Sequence, residues 1–184
     1  TSLICFLPTP INLELTKYIN FDKIIYYSLD NLGKGYSDSF KINKSEKKFL
    51  QISDANFFTS SSLLKKNYLS RKSFYLPAGV KLSNFTKKRK IKTVKKIIGY
   101  IGAVSDVFDQ DLVAKIAKKL KNFEILIVGP VVTNVEKLKK EENIRFVNQV
   151  EHDHLQNYMI KFDIGIIPYK INLFTDSVYP CKLN

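Results

Sequence analysis

Apolar and polar positions divide the chain into two unequal stretches on either side of a short basic run. In the first stretch, "LICFL" and "KIIYYSL" have the compact apolar character of short buried strands. The segment "EKKFLQISDANFFTSSSLLKKNYL" predicts a helix, a strand over Ala55 to Thr59, and a second helix capped by Ser60 or Ser61. "SFYLPAGV" predicts another strand, stopped by Pro77 and Gly79.

The second stretch is more regular. Ile97 to Ile101 is a continuous apolar strand, and Leu112, Val113, Ile116, Ala117 and Leu120 then mark one face of a helix over 109–121. Glu124 to Val128 predicts a strand and Val135 to Lys140 a short helix. Ile144 to Val147, a helix from about His152 to Ile160, and a strand over Asp163 to Ile167 complete the alternation. Strands alternating with helices imply parallel, doubly wound sheets, in which ligands bind outside the carboxyl ends of the strands. That rule places the turn after Ile101, the "GP" after Val128 and the "PYK" after Ile167 on one rim.

Composition narrows the class. The chain has 184 residues, of which 45% are hydrophobic, enough for one or two globular cores. Thirty Lys and Arg against seventeen Asp and Glu give a net charge of +13, which suits a polyanion, an anionic membrane surface or a phosphorylated substrate. "KKRKIKTVKK", residues 87–96, holds seven basic residues in ten. It reads as a solvated linker more readily than as a nucleic-acid contact, because no aromatic residue interleaves it to stack a base. No apolar run reaches the length of a membrane-spanning helix. Cys5 and Cys181 lie far apart and outside any CxxC pair, the pattern of incidental thiols in a reducing compartment. The chain opens without Met and stops on "YPCKLN", so both ends look cut.

The chemistry concentrates in "IIGYIGAVSDVFDQD", residues 97–111. Gly102 follows its strand directly, where a residue without Cβ permits positive φ or a close backbone approach to a ligand. The dinucleotide fingerprint is absent, since its third glycine and its acidic residue about twenty positions on are both missing. Asp106, Asp109 and Asp111 crowd the turn. They suit a helix N-terminus as a cap and dipole partners, and equally the hydrogen-bond donors of a ligand on the rim. His152 and His154 form an H-x-H pair without the Cys or second cluster that a structural zinc site requires. Asp163 reads as a strand-start residue, and Asp30 can cap a turn.

The order of these pieces resembles bacterial GT-B fold glycosyltransferases, and is most similar to the retaining group that builds cell-surface polysaccharides such as teichuronic acid and capsule. The matching positions are Asp54 with Ser60 and Ser61; Pro77, Gly79, Val80 and Phe85; Gly99, Gly102, Ala103, Phe108 and Asp109; and Gly129 with Pro130. Further on they are His152, Leu155 and Tyr158; Asp163, Gly165 and Pro168; then Pro180, Lys182 and Leu183. Asn148 stands where the pattern has a glycine.

The resemblance implies two Rossmann-like doubly wound parallel-sheet domains, both incomplete: residues 1–86 on the acceptor side, a basic linker at 87–96, and residues 97–184 on the nucleotide-sugar side. It implies a UDP- or GDP-sugar donor bound by Gly102, Ala103, Gly129, His152, Pro168 and Lys182. A helix beginning near Pro180 would face the diphosphate, and Asp109 and Asp30 are the carboxylates offered to the reaction. No cofactor or metal is implied. The implied acceptor is a glycan or a polyprenyl-diphosphate-linked glycan, met in the cytoplasm at the inner face of the plasma membrane; nucleic acid is not an expected partner. The acidic residue completing the last motif would follow Asn184, so the 184-residue chain by itself is expected to be inactive. Three other readings remain open: a nucleotide-sugar epimerase, a non-catalytic glycan-assembly subunit, and a basic nucleic-acid-binding α/β protein.

Overall fold

The computed structural model describes residues 1–32, 39–67, 72–79, 91, 93–172 and 174–180. The chain divides into two compact units, Thr1–Gly79 with Ile171–Asn184, and Val80–Lys170.

In the first unit, β1 (Ser2–Cys5), β2 (Lys23–Ser28), β3 (Ala55–Phe58) and β4 (Ser73–Tyr75) pair in parallel in the order β1-β2-β3-β4. Helices α1 (Pro10–Tyr18), α2 (Ser39–Ile52) and α3 (Ser61–Lys66) connect them. Sequence periodicity passed over α1, although its start signal is present: Thr9 caps it by accepting from the Asn12 N–H, and Pro10 occupies the first turn. Helix α2 begins earlier than its apolar face suggested. The core joins Cys5 and Tyr26, Phe49 and Leu50 of α2, Phe58 and Leu63, with Leu13 of α1 packed against it. Tyr26 donates to Glu46 Oε1 at 2.7 Å inside this core. Burial, with the Glu46 charge adding to it, pushes the Tyr26 phenol well above its usual range. Burial also raises the Cys5 thiol to about 11, so Cys5 is an inert packing residue.

In the second unit, β5 (Lys96–Ile101), β6 (Phe123–Val128), β7 (Ile144–Val147) and β8 (Ile164–Gly165) are all parallel, in the order β7-β6-β5-β8. Helices α4 (Gln110–Lys119) and α5 (Glu136–Lys139) pack Val113, Ala114, Ala117 and Leu138 onto one sheet face, over Ile98, Tyr100, Ile125 and Ile127. Ile97, Leu126 and Val128 face the other side, against Leu155, Tyr158 and Phe162. Asn143 ends α4 from a distance: its Nδ2 donates to the carbonyls of Ala117, Leu120 and Phe123 at 3.0–3.1 Å. The helix expected over 152–160 is split into a 3-10 turn, His152–His154, and α6 (Gln156–Met159), neither of which has a side-chain N-cap. The last strand shrinks from five residues to the pair Ile164–Gly165. Its continuation turns away to pair Tyr169 with Phe108 as an antiparallel bridge. Among the described residues no helix is long and apolar enough to cross a membrane.

Candidate active site at the strand switch of the second sheet

The order β7-β6-β5-β8 reverses at β5: the chain first builds outward to β6 and β7, then returns to β5's other edge. In an open parallel sheet, the rim at the carboxyl ends of the two strands flanking such a switch is where a ligand binds. The rim there is closely tied. Ile166 N–H donates to Gly99 O at 2.9 Å, Asp109 N–H to Pro168 O at 2.7 Å, and Lys170 N–H to Val107 O at 2.8 Å. Below it, Tyr100 packs edge-on against Phe108 with ring centroids 4.9 Å apart, and its hydroxyl donates to Ala103 O at 2.9 Å. Burial first, and Tyr169 second, hold the Tyr100 phenol above its ordinary range. The sequence pattern placed the "PYK" segment on this rim but gave no sign of the Tyr100–Tyr169 pairing, which joins residues far apart in the chain.

Two glycines set the shape of the opening. Gly102 and Gly129 adopt φ +145° and +142°, and they are the described residues with positive φ. Gly102 N–H donates to Val128 O at 2.8 Å and Gly129 N–H to Val147 O at 2.9 Å, so the turns after three neighbouring strands are stitched in a row. A Cβ on Gly129 would collide with the Gly102 carbonyl group, lying 2.7 Å from its carbon. Gly129 therefore works through Gly102: it lets one turn lie against the other. Gly102 has spent its N–H on β6. The exposed Ala103 N–H next to it has no hydrogen-bond partner among the described residues. In the middle of β5, a Cβ on Gly99 would run into the Phe162 ring, which explains the first glycine of the motif by packing alone.

Each of the three aspartates has a local partner. Asp109 caps α4 by accepting from Leu112 N–H at 2.8 Å, Asp106 accepts from Thr133 Oγ1 at 3.2 Å, and Asp111 pairs with Lys137. The Lys137 contact holds the exposed Asp111 carboxyl below the usual range. Asp163 is a register clamp: its N–H donates to Ile97 O at 2.8 Å while its Oδ2 accepts from Ile97 N–H at 2.7 Å.

Of the other predicted site residues, Pro168 is buried in the turn after β8 and Ala103 is exposed in the turn after β5. His152 is exposed in the 3-10 turn beyond β7, with Nδ1 3.9 Å from Asp153. Asn148 takes no left-handed conformation, so the motif glycine it replaces is not required by φ in this backbone. Asp30 belongs to the first unit, just past the end of β2. Half-buried, it has its carboxyl raised above the usual range by desolvation. Lys182, Phe85, Val80, the helix start expected after Pro180 and most of the basic run lie outside the described residues. Among the described residues no three metal-binding side chains cluster.

The fold belongs to a recognisable class. The chain has the fold of GT-B glycosyltransferases. It aligns with TarM of S. aureus at TM-score 0.64 and 17% identity, over 89% of this chain and 35% of that one. With HepE of Anabaena, solved in complex with UDP, the TM-score is 0.67 at 10% identity, over 84% of this chain and 49% of that one. In sequence it is similar to the putative teichuronic acid biosynthesis glycosyltransferase TuaH of Bacillus subtilis (strain 168), 29% identical over 91 residues. That stretch is 47% of this chain and 23% of the relative, so the chain spans well under two thirds of the proteins it matches. No protein-family profile matches it.

Proposed function

We propose that the chain is part of a retaining GT-B glycosyltransferase that binds a nucleotide sugar at the β5–β8 crevice of the second unit. It would transfer the sugar to a polysaccharide or lipid-linked glycan of the cell envelope or capsule. The observation that carries the reading is the strand switch itself, with a glycine-shaped turn at its mouth and the unpartnered Ala103 N–H exposed on it. That N–H is a donor for an oxygen of the transferred sugar or its phosphate. UDP accompanies HepE in one solved complex, and fondaparinux, α-GlcNAc-glycerol and UDP accompany a TarM mutant in another, which favours a nucleotide-sugar donor here.

In this reading Gly102 and Gly129 shape the turn, Pro168 fixes the rim through Asp109, and His152 approaches the base. Lys182 opposes the negative charge that grows on the departing nucleoside diphosphate. Asp109 contributes by holding α4 in place, and Asp30 serves the acceptor. Retention of configuration requires the acceptor hydroxyl on the face the diphosphate leaves. Catalysis then rests on positioning and electrostatic stabilisation, for which a metal is not invoked. The site of action would be the cytoplasmic face of the plasma membrane, where a lipid-linked acceptor is reached.

The test is calorimetric titration of the protein with UDP and with GDP. Saturable binding of one nucleotide is expected, weakened about tenfold or more in Lys182→Ala by loss of a charge-assisted contact, with thermal unfolding unchanged. Gly102→Val should abolish it. Absence of binding to either nucleotide would overturn the donor-site reading and leave a glycan-assembly subunit that does not catalyse.

A further inference from the structure

Tyr100 is a polar exception in an apolar layer. It lies on the helix-covered face of the second sheet, among Ile98, Val104, Phe108, Val113, Ile125 and Ile127, and is 1% exposed. The edge-on contact with Phe108 needs only its ring, which a phenylalanine would supply equally well. Burying a hydroxyl there carries a desolvation cost that hydrogen bonds must offset. Those bonds go to the segments that follow the two strands at the switch. One runs to Ala103 O at 2.9 Å, in the turn after β5, and the other joins the side chain of Tyr169, beyond β8.

The first of these bonds bears on the free backbone donor. The peptide joining Ala103 to Val104 is held on both sides, its carbonyl by the Tyr100 hydroxyl and its N–H by Pro130 O at 2.9 Å. On the other flank, Gly102 N–H is bound to Val128 O at 2.8 Å. Between these fixed groups stands the Gly102–Ala103 peptide, whose N–H has no partner among the described residues. Turning that peptide over would carry Ala103 toward positive φ, which it does not adopt and which an L residue resists. The direction of the free N–H is thus set by its neighbours' bonds, and of those three bonds only Tyr100's is made by a side chain.

We infer that the Tyr100 hydroxyl is a positioning group for the nucleotide sugar: by holding the Ala103 carbonyl it fixes the direction of the Ala103 N–H, which donates to an oxygen of the transferred sugar or its phosphate. The inference rests on the donor-site reading above. It adds to that reading a buried residue that acts through the backbone of the turn rather than by touching the ligand.

Tyr100→Phe tests it, followed by calorimetry and by the backbone amide NMR spectrum. Affinity for UDP, or for GDP should that be the nucleotide bound, should fall about fivefold, the worth of one neutral hydrogen bond. Saturating wild-type protein with the same nucleotide should shift the Ala103 amide signal, and at equal saturation the shift should be smaller in the variant. Ile125→Val is the control, because it removes a methylene from the same core cluster and leaves the hydroxyl in place. It should lower the melting temperature while keeping the wild-type affinity and the wild-type Ala103 shift.

Unchanged affinity in Tyr100→Phe, or an equal loss in Ile125→Val, would overturn the inference and leave the donor-site reading standing. A fall in affinity with an undiminished Ala103 shift would overturn it too, since the hydroxyl would then act elsewhere. Wild-type protein that binds neither nucleotide would overturn the donor-site reading itself, and the positioning role with it.

Discussion

The two sheets share an opening device and differ in what they do with it. Asp54, just before β3, donates its N–H to Ile24 O at 2.7 Å and accepts from Ile24 N–H at 2.9 Å. Asp163, just before β8, makes the same pair of bonds with Ile97. In each case one aspartate grips both polar groups of a single residue on the neighbouring strand and so sets the register of a parallel pair. Beyond that point the sheets part. The described strands of the first unit follow chain order without reversal and carry no positive φ, whereas the second reverses at β5 and places two left-handed glycines at the exits. The lesson is that several motif positions, Asp54, Gly99 and Asp163 among them, describe how a parallel sheet is built. The positions that shape the candidate site are those that separate the second sheet from the first.

The largest expected effect follows from that separation. Gly129→Ala combines a conformation that L residues avoid with a collision against backbone that cannot swing aside. It should destabilise the second unit by roughly 3–5 kcal/mol, summing strain and overpacking. Gly165→Ala is the matched control, because nothing lies within 4 Å of a Cβ there. Its cost should stay within about 0.5 kcal/mol. Urea unfolding of both variants decides the matter, and equal midpoints would mean that the contact between the two turns does not organise this rim.

Asp109 comes next, and here substitution separates a cap from a catalyst. Asp109→Ala should cost about 1 kcal/mol through loss of the bond to Leu112 N–H, and Asp109→Asn almost nothing, since Asn caps equally well. If nucleotide binding follows stability across the pair, Asp109 acts by holding α4. If Asp109→Asn folds normally and loses nucleotide binding, its charge takes part in holding the ligand.

Much of the second sheet was legible in the sequence because strands buried on both faces appear as continuous apolar runs, as in Ile97 to Ile101 and Ile125 to Val128. What escaped had weak or distant signals. Helix α1 has no fully buried residue, so periodicity had little to register beyond Thr9 and Pro10. The short β8 looked longer because Ile166 and Ile167 continue its apolar run past the last residue paired with β5, Gly165. The two aspartate clamps join residues 30 and 66 positions apart, and no local pattern announces such a bond. For the candidate site, the sequence placed the rim, the glycines and the capping aspartate. It could not separate Gly129's part from Gly102's, because Gly129 acts through the other's carbonyl.

The smallest effect is also the one that most directly sets two carboxylates of the first unit against each other. Asp54 has its carboxyl lowered, first by the Ile24 N–H and then by Lys23; Asp30 has its own raised by burial. The signs are opposite. Asp54's contribution is complete above the unfolded-state value near pH 4 and disappears as pH falls through its lower folded value, because the unfolded chain takes up the proton first. Asp30 is protonated more readily when folded than when unfolded, so its ionisation weakens the fold as pH rises from about 4 through its raised folded value. Asp54→Asn should therefore flatten the loss of stability on the acid side of pH 4. Asp30→Asn should remove a penalty felt at neutral pH, raising the melting temperature slightly there and not at pH 3. Melting curves of the two variants from pH 3 to pH 7 measure both. If Asp30→Asn instead lowers stability at neutral pH, the ionised carboxylate has a favourable partner that its half-buried setting does not suggest, and its assignment to the acceptor would have to be revised.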